Sequence, residues 1–373
     1  MELSPEDALR LNVMLANHPQ AICVDESRMV VRALSEKGEM KISLNPNCRD
    51  EQYLKQIREM LSMHALGSPS GYPRHIWSRM AHLNSDSLEA LLLLGDPEAV
   101  VAIAHSTELT DELARKAWWA LEDADNARQM LRQPAVVAGR MGPVLAEYLV
   151  EFLPFETEAE KIMDTVRLVL QPGLLDTAVI EQLWRRGRRK NLFYVGFLAT
   201  LPDALPDIPP ISRRQQSLVD DLREVAASGN ELAGLLARVM SAPGQAWLTT
   251  LQKVMEKPAT QDVVNCSLEV AAAYFSSARP EGFADATLEE LREEAVQWLR
   301  HPGNALVRQI LDLDNGLDQA LLALRVLSGS GYGMVRPVFG KSDAIGTLMR
   351  RKLQSVIDPY MEYMAQLGPV NRP

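Results

Sequence analysis

Residues 21–45 read A-I-C-V-D-E-S-R-M-V-V-R-A-L-S-E-K-G-E-M-K-I-S-L-N. Three short runs rich in β-branched and apolar residues are separated by E-S-R and by E-K-G, both with turn chemistry. The pattern predicts an antiparallel meander of three strands. Its neighbours have a different period. In S-P-E-D-A-L-R-L-N-V-M-L-A (4–16), Ser4 suits a helix cap, Pro5 suits the first turn, and Leu9, Val13 and Ala16 share a face. Residues 50–65 place Leu54, Ile57, Leu61 and Ala65 on one side of a second helix. Residues 1–66 are therefore expected to form an N-terminal α+β unit.

A connector follows over 67–84, centred on L-G-S-P-S-G-Y-P-R-H-I-W-S-R-M (66–80). Gly67 can end the preceding helix, Pro69 and Gly71 can shape a turn, and Pro73 can open the next helix. Arg74, His75 and Arg79 then cluster at an expected helix start, where an anion would be favoured.

Beyond residue 85 the apolar spacing is helical almost throughout. Pro97, Pro134, Pro172 and Pro209 are separated by 37, 38 and 37 residues. Each interval is long enough for two or three helices, as in HEAT-like arrays of stacked helix pairs. The reading is a mainly α chain: the α+β unit, a HEAT-like helical-repeat domain over 85–328, then a glycine-rich connector and C-terminal helix over 329–373. Within the repeat domain, helices are expected at 213–228, 230–241, 245–256, 260–277, 286–300, 303–312 and 316–327. A last helix is expected at 342–366.

Composition narrows the function. The chain has 373 residues, 47% of them hydrophobic, and a formal net charge of −10. That charge argues against a general coat for nucleic acid or an anionic membrane. No apolar run is long enough to span a bilayer. The acidic start M-E-L-S-P-E-D-A is unlike a signal peptide, and three dispersed cysteines suit a reducing compartment, so a cytoplasmic location is expected.

Motifs for chemistry are sparse. G-K-S at 340–342 suggests a phosphate loop, but the glycine required five residues before Gly340 is Val335, and a helical pattern precedes the stretch where a strand is needed. The six histidines show neither HxxxH nor HExxH spacing, so no metal is expected, and no cofactor fingerprint is present. Two candidates remain. W-R-R-G-R-R-K (184–190) gathers Arg185, Arg186, Arg188 and Arg189 near Trp184, Phe193 and Tyr194, a combination able to hold an acidic partner or a nucleic-acid backbone. Positive charge at a solvated helix end is the structural alternative. Cys48, in N-P-N-C-R-D-E, sits where a loop enters a helix beside Arg49, which would favour a thiolate. Cys23 and Cys266 read as small core residues. Of the adjacent Trp118 and Trp119, one ring is expected in the core and the other at a groove edge or a repeat interface.

Four strings, L-S-P-E-D-A-L-R-L-N-V (3–13), D-E-S-R-M-V-V-R-A-L-S (25–35), L-G-S-P-S-G-Y-P (66–73) and A-R-K-A-W-W-A (114–120), resemble the DsrS proteins. Those are encoded with the dissimilatory sulfite reductase system of sulfur-oxidising bacteria. The resemblance implies a soluble cytoplasmic accessory to the oxidation of stored sulfur, with no established enzymatic activity or cofactor and no catalytic residue to carry over. The dense helical periodicity and the lack of a catalytic constellation add the expectation of a non-enzymatic scaffold acting through protein contacts. The alternatives are a regulator that binds nucleic acid or another regulator through the basic cluster, and a relay of sulfur through a persulfide on Cys48.

Overall fold

The expected meander is present as β1 (Ala21–Asp25), β2 (Val30–Ser35) and β3 (Gly38–Ser43), in the order β1-β2-β3 with both pairs antiparallel. Its register places Val24 opposite Val31 and Ala33 opposite Met40. The structure is a computed structural model that describes residues 3–67, 85–282, 285–340 and 346–369. Arg74, His75 and Arg79, with the rest of 68–84, lie outside the described residues.

Helix α1 (Pro5–Ala16) is capped by Ser4, whose Oγ accepts from the Asp7 amide at 3.2 Å. Helix α2 (Asp50–Leu66) ends at Gly67 with φ 66°, the left-handed cap anticipated. Together they cover the sheet with Leu11, Met14, Leu15, Tyr53, Ile57 and Leu61 packed against Ile22, Val24, Val31 and Ala33. The buried face of α1 differs from the expected one. Leu9 and Val13 are 66% and 55% exposed, and Asp7 is fully buried in their place. One oxygen of Asp7, Oδ2, accepts from the Tyr53 hydroxyl at 2.5 Å and the Asn45 amide at 2.8 Å, which offsets part of the cost of its burial, while Oδ1 is buried without a partner.

Helices α3 (Ser85–Leu92), α4 (Pro97–Ala104), α5 (Asp111–Ala120), α6 (Ala124–Met130), α7 (Pro134–Val137) and α8 (Met141–Phe152) continue this first unit. α3 and α5 pack on β1. Gly95, at φ 64°, lies so close that a Cβ there would come within 2.7 Å of Val24. Trp118 is buried edge-on to Tyr148, and half-buried Trp119 lies under the Arg32 guanidinium at 5.5 Å, matching the division expected of the pair. Because these helices bury the outer side of β1, the compact unit spans Met1–Pro154 and also takes in Gln171–Leu175. Gln171 donates to the Leu131 carbonyl, and Leu174 packs against Gly142. The division into compact units thus falls at 154/155, whereas the sequence pattern changes at 66 and 84.

The second unit comprises Phe155–Leu170 and Asp176–Pro373. It holds α9 (Ala159–Val169), α10 (Thr177–Gly187), α11 (Leu192–Thr200), α12 (Arg213–Ala227), α13 (Glu231–Met240), α14 (Ala242–Glu256), α15 (Gln261–Tyr274), α16 (Leu288–Arg300), α17 (Ala305–Leu313), α18 (Asp318–Leu327), α19 (Tyr332–Phe339) and α20 (Gly346–Gln366). The seven helices expected over 213–327 are all present, with ends shifted by a few residues. Helices stack on their sequence neighbours and on next-but-one helices, α9 on α11, α16 on α18 and α18 on α20, as arrays of paired helices do. The evenly spaced prolines do not mark equivalent points. Pro97 and Pro134 open helices, whereas Pro172 lies in a turn and Pro209 in an irregular segment.

Trp247 centres this unit, fully buried, donating to the Leu198 carbonyl at 3.0 Å and stacked on Tyr274 at 3.9 Å. The stretch expected to be a glycine-rich connector is instead largely helix α19. Its glycines serve close packing: a Cβ on Gly333 would fall 2.7 Å from the Ala286 carbonyl oxygen, and Gly329 abuts Leu291. Ser330 is buried against the Tyr360 hydroxyl. Among the described residues, no helix is long and apolar enough to cross a membrane.

Candidate functional site: a cationic cleft in the second unit

A concavity of about 1410 Å³ lies within the second unit. Its architecture starts from Trp184 on α10. The indole is buried against Tyr194 and Phe197, with ring centroids at 4.5 and 5.0 Å, and donates from Nε1 to Asp207 Oδ2 at 2.7 Å. That bond fastens the irregular segment around Pro206–Pro209 as one wall. Gly187 ends α10 directly against the Tyr194 ring, leaving no room for a Cβ. The chain then turns, presenting Arg188, Arg189 and Lys190 to the cleft.

Asn191 sets the opposite wall. Its Nδ2 donates to the Val254 and Lys257 carbonyls at 3.4 and 3.0 Å, occupying acceptors that the end of α14 leaves unpaired. This clamp brings the end of α14, with Lys253 and Lys257, into the same cleft as Arg188, Arg189 and Lys190. Arg350 on α20 completes the ring, held by the Pro258 carbonyl at 3.3 Å and Thr347 Oγ1 at 3.0 Å. The floor is aliphatic and hydroxyl, with Ile162, Leu192, Ala246, Thr249 and Thr250. A smaller concavity of 530 Å³ shares Glu256, Lys257 and Arg350 and adds Arg351.

The charge balance is one-sided. Six cations against two carboxylates, Asp207 and Glu256, leave a formal excess of four. Arg188 lies 3.7 Å from Asp207, whereas Arg189, Lys190, Lys253 and Lys257 have no carboxylate within ion-pair distance among the described residues. Two helix C-termini, of α10 and α14, point here, and each carries roughly half a negative charge. They offset about one unit of the excess, so dipole compensation accounts for a minority of it. Burial raises the Tyr194 hydroxyl above its ordinary range, which keeps the ring neutral beside the cations.

The expected cluster is therefore divided. Arg188 and Arg189 line the cleft, Arg185 is exposed and paired with Glu181 at 3.0 Å, and half-buried Arg186 is not part of the lining. Lys190, from the same run, lines the cleft too, and Lys253, Lys257 and Arg350 join it unannounced by any local motif. Cys48 is elsewhere, half-buried against the core of the first unit, its thiol turned to the Arg49 carbonyl at 3.7 Å. Arg49 is the residue that caps α2, without a side-chain bond. Half-buried Cys23 lies 3.6 Å from Arg32, and burial with nearby Glu269 pushes the Cys266 thiol up to about 11. No group of three or more His, Cys, Asp or Glu able to hold a metal occurs among the described residues.

Sequence inspection gave no hint of a second polar constellation. Arg325, 4% exposed, donates to Glu294, Glu281 and the Ala278 carbonyl, and lies 5.1 Å over the Trp298 ring. Arg279, also buried, donates to Glu294 at 2.7 Å. Every partner is internal, so this cluster cross-links α16, α18 and the turn after α15.

Compared with protein-family models, with curated proteins and with solved structures, the chain matches none of them. What fold and site together define is a class: a mainly α chain with a small α+β portion and an open, strongly cationic cleft in its second unit.

Proposed function

We propose that this chain is a non-catalytic accessory protein that acts by holding a protein partner, in the cytoplasmic oxidation of sulfur that the DsrS resemblance implies. The observation that supports holding is the cleft itself. At about 1410 Å³ it exceeds the roughly 300–1,000 Å³ of small-ligand sites, and it is open rather than enclosed. Its functional groups are cations set over threonines and aliphatics, groups that bind and orient. The sulfur setting rests on the resemblance of the N-terminal strings alone.

The test is affinity capture of the tagged full chain from a sulfur-oxidising bacterium grown on sulfur. Proteins encoded with its dissimilatory sulfite reductase are the expected catch. A capture containing none of them removes the setting.

A further inference from the structure

We infer that the cleft receives an acidic segment of a polypeptide in which carboxylates alternate with aliphatic side chains; this rests on the accessory-protein reading above. Three observations select that occupant. First, the lining combines six cations, Arg188, Arg189, Lys190, Lys253, Lys257 and Arg350, with the aliphatic side chains of Ile162, Leu192 and Ala246. A segment that alternates carboxylates with aliphatic side chains complements both kinds of lining. Second, the cleft offers no open aromatic face. Trp184 and Tyr194 are 5% and 8% exposed and are engaged with each other and with Phe197. Single-stranded nucleic acid takes much of its affinity from stacking on exposed rings, and these are already covered. Third, the positive field is local. The chain as a whole carries −10, so a long polyanion leaving the cleft would run over repelling surface, whereas a short acidic segment would not.

Asp207 has a defined part in this arrangement. It accepts from Trp184 and faces Arg188, so that arginine is held in place while Arg189 and Lys190 remain available. Recognition would thus be carried mainly by Arg189, Lys190, Lys253 and Lys257.

The probe is a fluorescein-labelled peptide of alternating Glu, Leu and Asp, titrated against the full chain by anisotropy. A Lys-for-acid version of the peptide and a labelled oligo-dT of matched length are run alongside. Binding of the acidic peptide is expected to weaken as salt is raised, and the triple charge reversal Arg189→Glu, Lys253→Glu, Lys257→Glu should cost about tenfold or more. These side chains are exposed, so folding is expected to survive, as circular dichroism will show. Arg300→Glu with Arg308→Glu, outside the cleft, should leave binding unchanged. Failure of the wild-type chain to bind the acidic peptide overturns the inference, as does binding that survives the triple reversal. Tighter binding of oligo-dT, lost on reversal, assigns the cleft to nucleic acid and overturns it too. A sedimentation shift to dimer that the reversal abolishes would make a second copy the occupant. Capture of sulfur-pathway proteins that persists in the triple variant leaves the accessory reading standing and removes the cleft from it.

Discussion

Arg325 sits almost without solvent, donating to two carboxylates and a carbonyl and lying over an indole. Glu281 and Glu294 are themselves 51% and 38% exposed, so water can take over the carboxylates, while the Ala278 carbonyl and the Trp298 face would lose their partner. Arg325→Ala is therefore expected to lower stability by roughly 1–2 kcal/mol in urea titration. The same change at exposed Arg185 should cost less than about 0.5 kcal/mol. The effect carries a pH signature. The hydrogen bond from Arg325 holds the Glu281 carboxyl below its ordinary range. A depressed pKa stabilises the fold above the unfolded value and is lost as pH falls through the folded one. The gap between wild type and Arg325→Ala should accordingly narrow below about pH 4. Among the thiols, Cys266, raised to about 11, should alkylate more slowly at neutral pH than Cys48. Equal rates would contradict the burial that causes the shift.

At the scale of elements, α1 shows how a correct helix can carry an incorrect face. It has two apolar stripes, one with Leu9 and Val13, the other with Leu11, Met14 and Leu15. Periodicity alone ranks them equally, and the acid at position 7 argues against the stripe that is in fact buried. Only Tyr53 and Asn45, distant in sequence, make that burial tolerable. Leu11→Ala should cost about 2–5 kcal/mol, whereas Leu9→Ser with Val13→Ser should change the urea midpoint little. A large loss from the latter pair would restore the original face. Helix α19 teaches the complementary lesson. Its glycines read as a flexible link because sequence does not distinguish glycine needed for φ from glycine needed for contact. Gly333→Ala, aimed at a backbone carbonyl that cannot yield, is expected to destabilise by about 1–3 kcal/mol. The cleft was half legible for a similar reason. Arg188 and Arg189 advertise themselves in a run, but Lys253, Lys257 and Arg350 acquire meaning only when Asn191 and α20 bring their helices alongside.

At the scale of the whole chain, strands and helices were readable because period and turn chemistry are local. The division into units was not, because it depends on which helices cover β1. The first unit is discontinuous, taking Gln171–Leu175 after the chain has already entered the second. A fragment of residues 1–154 lacks that strip. Its amides around 131–142 are expected to exchange faster than in the full chain, as read by hydrogen-exchange mass spectrometry. Identical protection would show that the strip contributes nothing.

This discontinuity also orders events during synthesis. The first unit cannot be completed when residue 154 leaves the ribosome; it waits until 175. By then α9 has emerged with Ile162, Val166 and Val169 ready for burial, while α11, on which it packs, is still to come. For that interval the nascent chain holds an unfinished fold and an unpartnered apolar helix together, the kind of surface that chaperones bind.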